Sequence, residues 1–104
     1  MQLEPMKLIT IVAEKLLKDQ MVQKVLELGA TGCSYHPTEG KGLREARHND
    51  AFSENFQMKI VCPPDVATKI LTYISENYFE HYAIVTWVTD VEVMRGKHFR
   101  KTPG

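Results

Sequence analysis

The sequence predicts an α+β domain made of two βαβ halves. Three observations carry that expectation. Two short apolar stretches, at residues 7–13 and 56–62, are rich in strand-forming residues, and each runs into a stretch of helical period. A further strand-like stretch closes each half, at 31–37 and 82–94. One long polar segment, residues 38–55, separates the halves without a hydrophobic period of its own.

The first element, KLITIVA (7–13), is rich in β-branched residues and reads as a strand buried on both faces. In EKLLKDQMVQKVLELG, the residues Leu17, Met21, Val25 and Leu28 recur at four, four and three, and Val22 and Leu26 widen the stripe. This is the pattern of an amphipathic helix, and Gly29 stands where a C-terminal glycine would end it. TGCSYHP (31–37) is a weaker strand. FQMKIVC alternates, with Phe56, Met58, Ile60 and Cys62 on one face and Gln57 and Lys59 on the other. Pro63 and Pro64 stop it. Pro64 and Asp65 suit the start of a second helix, by fixed φ and by charge near the N-terminus. That helix carries Val66, Ile70, Tyr73 and Ile74 on one face. YAIVTWVTDVEVM is the last strand, and the basic remainder RGKHFRKTPG reads as a partly ordered tail.

The order β-α-β, loop, β-α-β is the split arrangement of ferredoxin-like domains, a four-stranded antiparallel sheet with both helices on one face. The opposite face, near Val85, Trp87 and Val91, needs a cover. A homo-oligomer with its sheets facing inward would provide one. The chain's 104 residues make one domain, with 43% hydrophobic and 25% charged residues. Thirteen basic residues balance thirteen acidic ones, so no global field draws in nucleic acid or membrane. The two cysteines, Cys33 and Cys62, form no CxxC and read as buried, inert thiols on strands in a reducing cytoplasm. The sequence shows no signal-peptide core and no apolar run of ~18 residues. Membrane contact is therefore expected only through a partner.

The loop carries the chemistry. In GKGLREAR, Gly40 and Gly42 flank Lys41, and such glycines let backbone N–H groups form an anion-binding nest. Arg44 and Arg47 add guanidinium forks suited to phosphate oxygens. The stretch is not a Walker motif, since no GK[ST] stands at the required spacing. On composition alone a solvated loop has the better claim. His36, His48, His81 and His98 show no metal-ligand spacing, and a solvated polar loop explains His48 with Asp50 better than a metal does. Asp90 and Glu92 share a face of the last strand, but an exposed edge or an intersubunit pairing explains them better than acid/base work. The sequence contains no catalytic constellation, and the chain is expected not to be an enzyme.

Three stretches resemble the PII-like signalling proteins, most closely the SbtB type associated with cyanobacterial bicarbonate uptake. KLITIVAEKLL followed by GATG is similar to that family's first strand and helix. GKGLREAR is similar to its GKGxRxxR signature at the base of the T-loop. YFEHYAIVTWVTDVEVMRGKHF resembles its YFxDYA segment and the EVxxGxxF motif beyond it. The likeness covers nearly all of residues 7–99. It implies one PII-like domain, 1–104, with a T-loop at about 38–55 and a flexible tail at about 97–104. It implies a homotrimer with an adenine-nucleotide site (cyclic AMP, AMP, ADP or ATP) in each cleft between subunits. Carried over by position, Gly40, Lys41, Gly42, Arg44 and Arg47 would hold phosphate. The backbone of Tyr82, Ala83, Ile84 and Val85 would line the adenine and ribose, and Gly96 and Phe99 would close the cleft. The implied partner is a sodium-dependent bicarbonate transporter of the SbtA type, bound through the T-loop. Ile84 stands where the family often has glycine, and His81 where it usually has an acidic residue. The chain ends FRKTPG instead of the CGPxGC segment of many SbtB-type chains. A disulfide-controlled nucleotide hydrolysis is therefore not implied. Two related readings keep the fold: a carboxysome-associated sensor of ADP or AMP with bicarbonate, and a metal-binding trimer of the CutA type.

Overall fold

The computed structural model describes residues 1–39 and 54–101. The elements run β1 (Glu4–Glu14), a 3₁₀ turn (Lys15–Leu17), α1 (Lys18–Glu27), β2 (Ser34–Thr38), β3 (Asn55–Cys62), α2 (Pro64–Asn77), β4 (Val85–Val93) and a second 3₁₀ turn (Gly96–Phe99). The four strands form one sheet in the order β2-β3-β1-β4, with every pairing antiparallel. This is the expected ferredoxin-like arrangement.

β1 is the central strand. Its side chains alternate between faces, and the two faces have different surroundings. Ile9, Ile11 and Ala13 stand opposite Ile60, Met58 and Phe56 of β3, and all six are buried in the core beneath the helices. Leu17, Met21 and Val25 come down on them from the first helical segment, and Val66, Ala67, Ile70 and Ile74 from α2. The other face presents Leu8, Thr10 and Val12 beside Thr89, Trp87 and Val85. No helix among the described residues covers it, and Val85 and Trp87 are both 46% exposed. The expected uncovered face is therefore real in the single chain.

The punctuation in the sequence works locally as its chemistry dictates. Pro64 opens α2 where a missing N–H costs nothing, and Asp65 lies in the first turn. Past α1, Gly29 takes φ +124°, a region that side chains avoid. The Gly29 N–H and the Ala30 N–H donate to the carbonyls of Leu26 and Val25, closing the helix end.

Four local expectations need correction. β1 begins at Glu4 instead of residue 7, because β4 is long enough to pair with the earlier residues. The first helix starts with a 3₁₀ turn, so its α-helical part begins only at Lys18. Cys33 lies before β2 and not on a strand. Tyr82, Ala83 and Ile84 precede β4, because the Tyr82 N–H donates back to the Tyr78 carbonyl (2.9 Å) as a continuation of the α2 end.

A side chain at Gly29 would be strained by its φ and would place Cβ 3.0 Å from Val66 Cγ2. Gly29→Ala is expected to destabilise the fold by about 1–3 kcal/mol, measured as a lower denaturant midpoint at fixed protein concentration.

Candidate functional site

The sequence-predicted site residues fall into three groups. Gly40, Lys41, Gly42, Arg44 and Arg47 lie outside the described residues, as do His48 and Asp50. The strands that carry this loop are well placed, however. β2 ends at Thr38 opposite Asn55, the first residue of β3, and Asn55 stands in turn opposite Glu14 of β1. The Lys15 N–H donates to the Glu54 carbonyl at 2.6 Å, and Lys15 Nζ pairs with Glu54 Oε2 at 3.0 Å. The loop base is thereby tied to the start of the first helical segment. The Asn55 Oδ1 there is buried and has no hydrogen-bond partner among the described residues.

The second group, Tyr82 to Val85, lies at this same end of the sheet, since Val85 pairs with Val12. Tyr82 is partly exposed, with its ring 5.8 Å from that of Tyr78. Tyr78 is buried, and its hydroxyl donates to Gln20 Oε1 at 2.9 Å. Burial, with Tyr73 and then Tyr82 close by, pushes the Tyr78 phenol up to about 12. This aromatic cluster fixes the path of the chain from α2 into residues 82–85.

The third group lies at the opposite end. Val93, the last residue of β4, pairs with Glu4, and the chain then turns through Arg95 into Gly96–Phe99. Of the tail expected to be only partly ordered, residues 96–101 are held in place here. Arg95 takes φ 59° and ψ 53°, a conformation a non-glycine residue rarely adopts, and its carbonyl accepts the His98 N–H at 2.9 Å. Arg100 forms an ion pair with Glu4, and Lys101 donates to the Leu26 carbonyl at the C-terminal end of α1. The His98 and Phe99 rings meet edge to face, with centroids 5.2 Å apart. Gln2, Leu3 and Glu4 on one side, and Arg95, Gly96, Lys97 and His98 on the other, line an open cleft. Sequence patterns alone do not single out Arg95, Lys97, His98 or Glu4 as site residues. The GK pair at 96–97, which repeats the glycine–lysine pair of the loop, is a signal that points to Lys97.

Eight residue steps of β4 separate the second and third groups, about 26 Å at the rise of a strand. One chain therefore does not bring Tyr82–Val85 and Gly96–Phe99 to a common ligand. Among the described residues, no group of three His, Cys, Asp or Glu side chains stands close enough to hold a metal. His36 Nδ1 lies 2.9 Å from the Pro37 carbonyl oxygen, and His81 stands exposed beside Glu80.

Residues 6–98 match the family described as nitrogen regulatory protein P-II. The chain belongs to the P-II family. Among solved structures, it is similar to a PII-like signalling protein of Thermus thermophilus, with 40% identity and a TM-score of 0.82 over 95% of this chain and 99% of that one. It also resembles CPII of Thiomonas intermedia, solved with ADP, AMP and acetate, with 22% identity and a TM-score of 0.84 over 97% and 100% of the two chains. Bacillus subtilis GlnK in complex with ATP is more distant, with 16% identity and a TM-score of 0.58 over 84% and 82%. The last two are likenesses of fold.

The thiols fit a regulatory domain with no cysteine chemistry in its core. Burial, then the Asp65 carboxylate, pushes Cys62 up to about 11, and burial raises Cys33 as well. The thiolate is the reactive form, so both thiols stay protonated near neutrality. Iodoacetamide at pH ~8 is expected to label half-buried Cys33 slowly and to leave Cys62 untouched in the folded protein. Peptide mass mapping reads both, and Cys62 becomes reactive only as pH climbs toward its raised value or as the protein unfolds.

Proposed function

We propose that this P-II family member is a homotrimeric sensor of adenine nucleotides that regulates a partner through the loop between β2 and β3. The observation that carries the reading is the division of the site. The loop base and residues 82–85 stand at one end of the sheet, and the cationic turn 95–100 stands about 26 Å away at the other. A second copy, packed against the uncovered sheet face, can bring its own turn to the first copy's loop base. Each ligand then lies between two subunits.

In that arrangement Gly40, Lys41, Gly42, Arg44 and Arg47 grip phosphate. The backbone of Tyr82, Ala83, Ile84 and Val85 lines the base and ribose, and Gly96 and Phe99 of the adjoining copy close the cleft. CPII bound to ADP, AMP and bicarbonate, and GlnK with ATP, give the ligand class its support. Cyclic AMP enters through the likeness to SbtB-type chains. Ligand binding biases the loop toward one state and so changes what a partner meets, and the shift is limited by the ligand's differential affinity for the two loop states. Moving a 10:90 equilibrium to 90:10 takes roughly 2.6 kcal/mol, within reach of one or two charged hydrogen bonds at ~1.5–3 kcal/mol each.

The partner proposed is an SbtA-type sodium-dependent bicarbonate transporter, which places the protein in the cytoplasm and at the membrane only through that partner. No helix among the described residues is long and apolar enough to cross a membrane. The protein acts by binding and not by catalysis. A second reading, a sensor of ADP or AMP with bicarbonate, is favoured by the CPII complexes with bicarbonate. Nucleotide affinity that depends on bicarbonate selects it.

Two measurements test the proposal. Titration calorimetry with cyclic AMP, AMP, ADP and ATP is expected to give binding to at least one, and Arg47→Ala to weaken it by at least ~1 kcal/mol. No heat from any nucleotide, in protein shown to be folded and trimeric, overturns the reading. Separately, Trp87→Glu puts a charge on the open sheet face. It is expected to convert a trimer to monomers in light scattering, since burying an unpaired charge costs several kcal/mol.

A further inference from the structure

The cationic turn after β4 is not open in the free chain, because a carboxylate from the other end of the sequence lies in it. Glu4 is the one acidic group among the described residues that line the cleft; Arg95 and Lys97 line it too, and His98 adds a further titratable ring. Its Oε2 forms the ion pair with Arg100. Its other carboxylate oxygen lies against Gly96. A Cβ on Gly96 would stand 2.7 Å from Glu4 Cδ and 3.3 Å from Glu4 Cβ, and closer still to Oε1. The positive φ in this turn belongs to Arg95. Gly96 leaves space beside the turn, and its own chain's carboxylate takes that space up.

The contact is built into the sheet. The backbone of Glu4 is registered opposite Val93, two residues before Arg95. The side chains of Glu4 and Arg100 are 39% and 48% exposed, a partly desolvated setting in which one charge counts for more than on an open surface. A carboxylate held against a guanidinium and a glycine backbone has the chemistry of an anionic ligand group at the same position.

We propose that Glu4 is a specificity-determining residue of the ligand cleft: it occupies the cationic turn in place of a ligand's anionic group and biases the site toward ligands of low negative charge. This inference rests on the proposed function, in which the turn of one copy closes the cleft over a ligand whose phosphates the adjoining copy's loop grips, and it adds that the turn's cations face those phosphates. Two effects act together. A ligand oxygen that engages Arg100 must displace Glu4. A ligand that leaves Glu4 in place still meets its negative charge, and that repulsion grows with each phosphate. Glu4 therefore penalises a triphosphate more than a monophosphate.

The test compares wild type, Glu4→Gln, Glu4→Asp and Arg100→Gln by calorimetry with AMP, ADP, ATP and inorganic tripolyphosphate, at two salt concentrations. Circular dichroism establishes that each variant is folded. Glu4→Gln keeps the side chain's size and removes its charge. It is expected to tighten ATP and tripolyphosphate about three- to tenfold and AMP by less than about twofold, with the difference shrinking in high salt. Glu4→Asp keeps the charge on a shorter arm and is expected to fall between the two; it still reads the effect if Glu4→Gln does not fold. Arg100→Gln is expected to weaken every ligand.

An anchoring role for Glu4 gives a different pattern. Glu4→Gln and Arg100→Gln then weaken binding alike, by a factor independent of ligand charge, and that result overturns the proposal. An equal gain for AMP and ATP also overturns it. Tripolyphosphate that binds more tightly to Glu4→Gln, with no nucleotide bound by any variant, upholds the role of Glu4 and overturns the nucleotide reading alone. No anion bound by wild type or variant overturns both.

Discussion

Two helices can cover only one face of a four-stranded sheet, and the rest of this structure follows from that constraint. β1 runs through the middle with neighbours on both sides, so alternate residues of one strand meet two environments. Ile9, Ile11 and Ala13 are sealed at 0% exposure beneath the helices. Leu8 and Val12, one step away in each case, are only partly covered. At roughly 25 cal/mol per Å² of apolar surface, leaving Val85 and Trp87 half in water forgoes stabilisation that a chain of this length has no further layer to recover. None of the described helices supplies that cover, and assembly through this face is what would divide the proposed ligand site between copies.

The same antiparallel geometry sets the polarity of the site. β2 and β3 turn over at one end of the sheet, where the long loop leaves and returns. β4 starts at that end and finishes at the other. Residues 82–85 and the basic turn after β4 of the same chain therefore stand at opposite ends of the sheet. The chain's net charge of zero conceals this separation. Cations gather in the loop and again in residues 95–101, at opposite ends of one strand. In the arrangement proposed above, each half-site is complete only across a junction, so assembly and ligand binding would draw on the same surfaces.

Local chemistry explains which parts of the fold were legible in the sequence. Period-two alternation marked the buried face of β3 residue by residue, because Phe56, Met58, Ile60 and Cys62 sit on a sheet with one dry side. Gly29 and Pro64 marked their helix ends for reasons of φ and missing donors. Several misses depend on contacts that the local pattern does not contain. Glu4 to Met6 have no strand period of their own and become strand because Val91 to Val93 lie beside them. Tyr82 to Ile84 look like strand by composition, yet Tyr82 spends its N–H on the end of α2. The final turn looked like a basic tail, but Glu4 and the carbonyl of Leu26 hold it in place.

For the site, the motif was legible and its geometry was not. GKG and RGKHF announce glycines beside cations, which is enough to suspect an anion. They do not say why each glycine is there. At Gly96 the natural guess is conformational freedom, but the unusual backbone is one residue earlier, at Arg95, a residue that gains nothing from it locally. Such a conformation costs about 1–3 kcal/mol and persists only where surroundings over-determine it. Here the surroundings are the carbonyl of Arg95 bonded to His98, and Arg100 drawn to Glu4. Removing the carboxylate would therefore release both the strained turn and the cations it presents. A residue about ninety positions from the motif, at the start of a strand, then governs whether the motif is ready for a ligand, and no window along the sequence contains both.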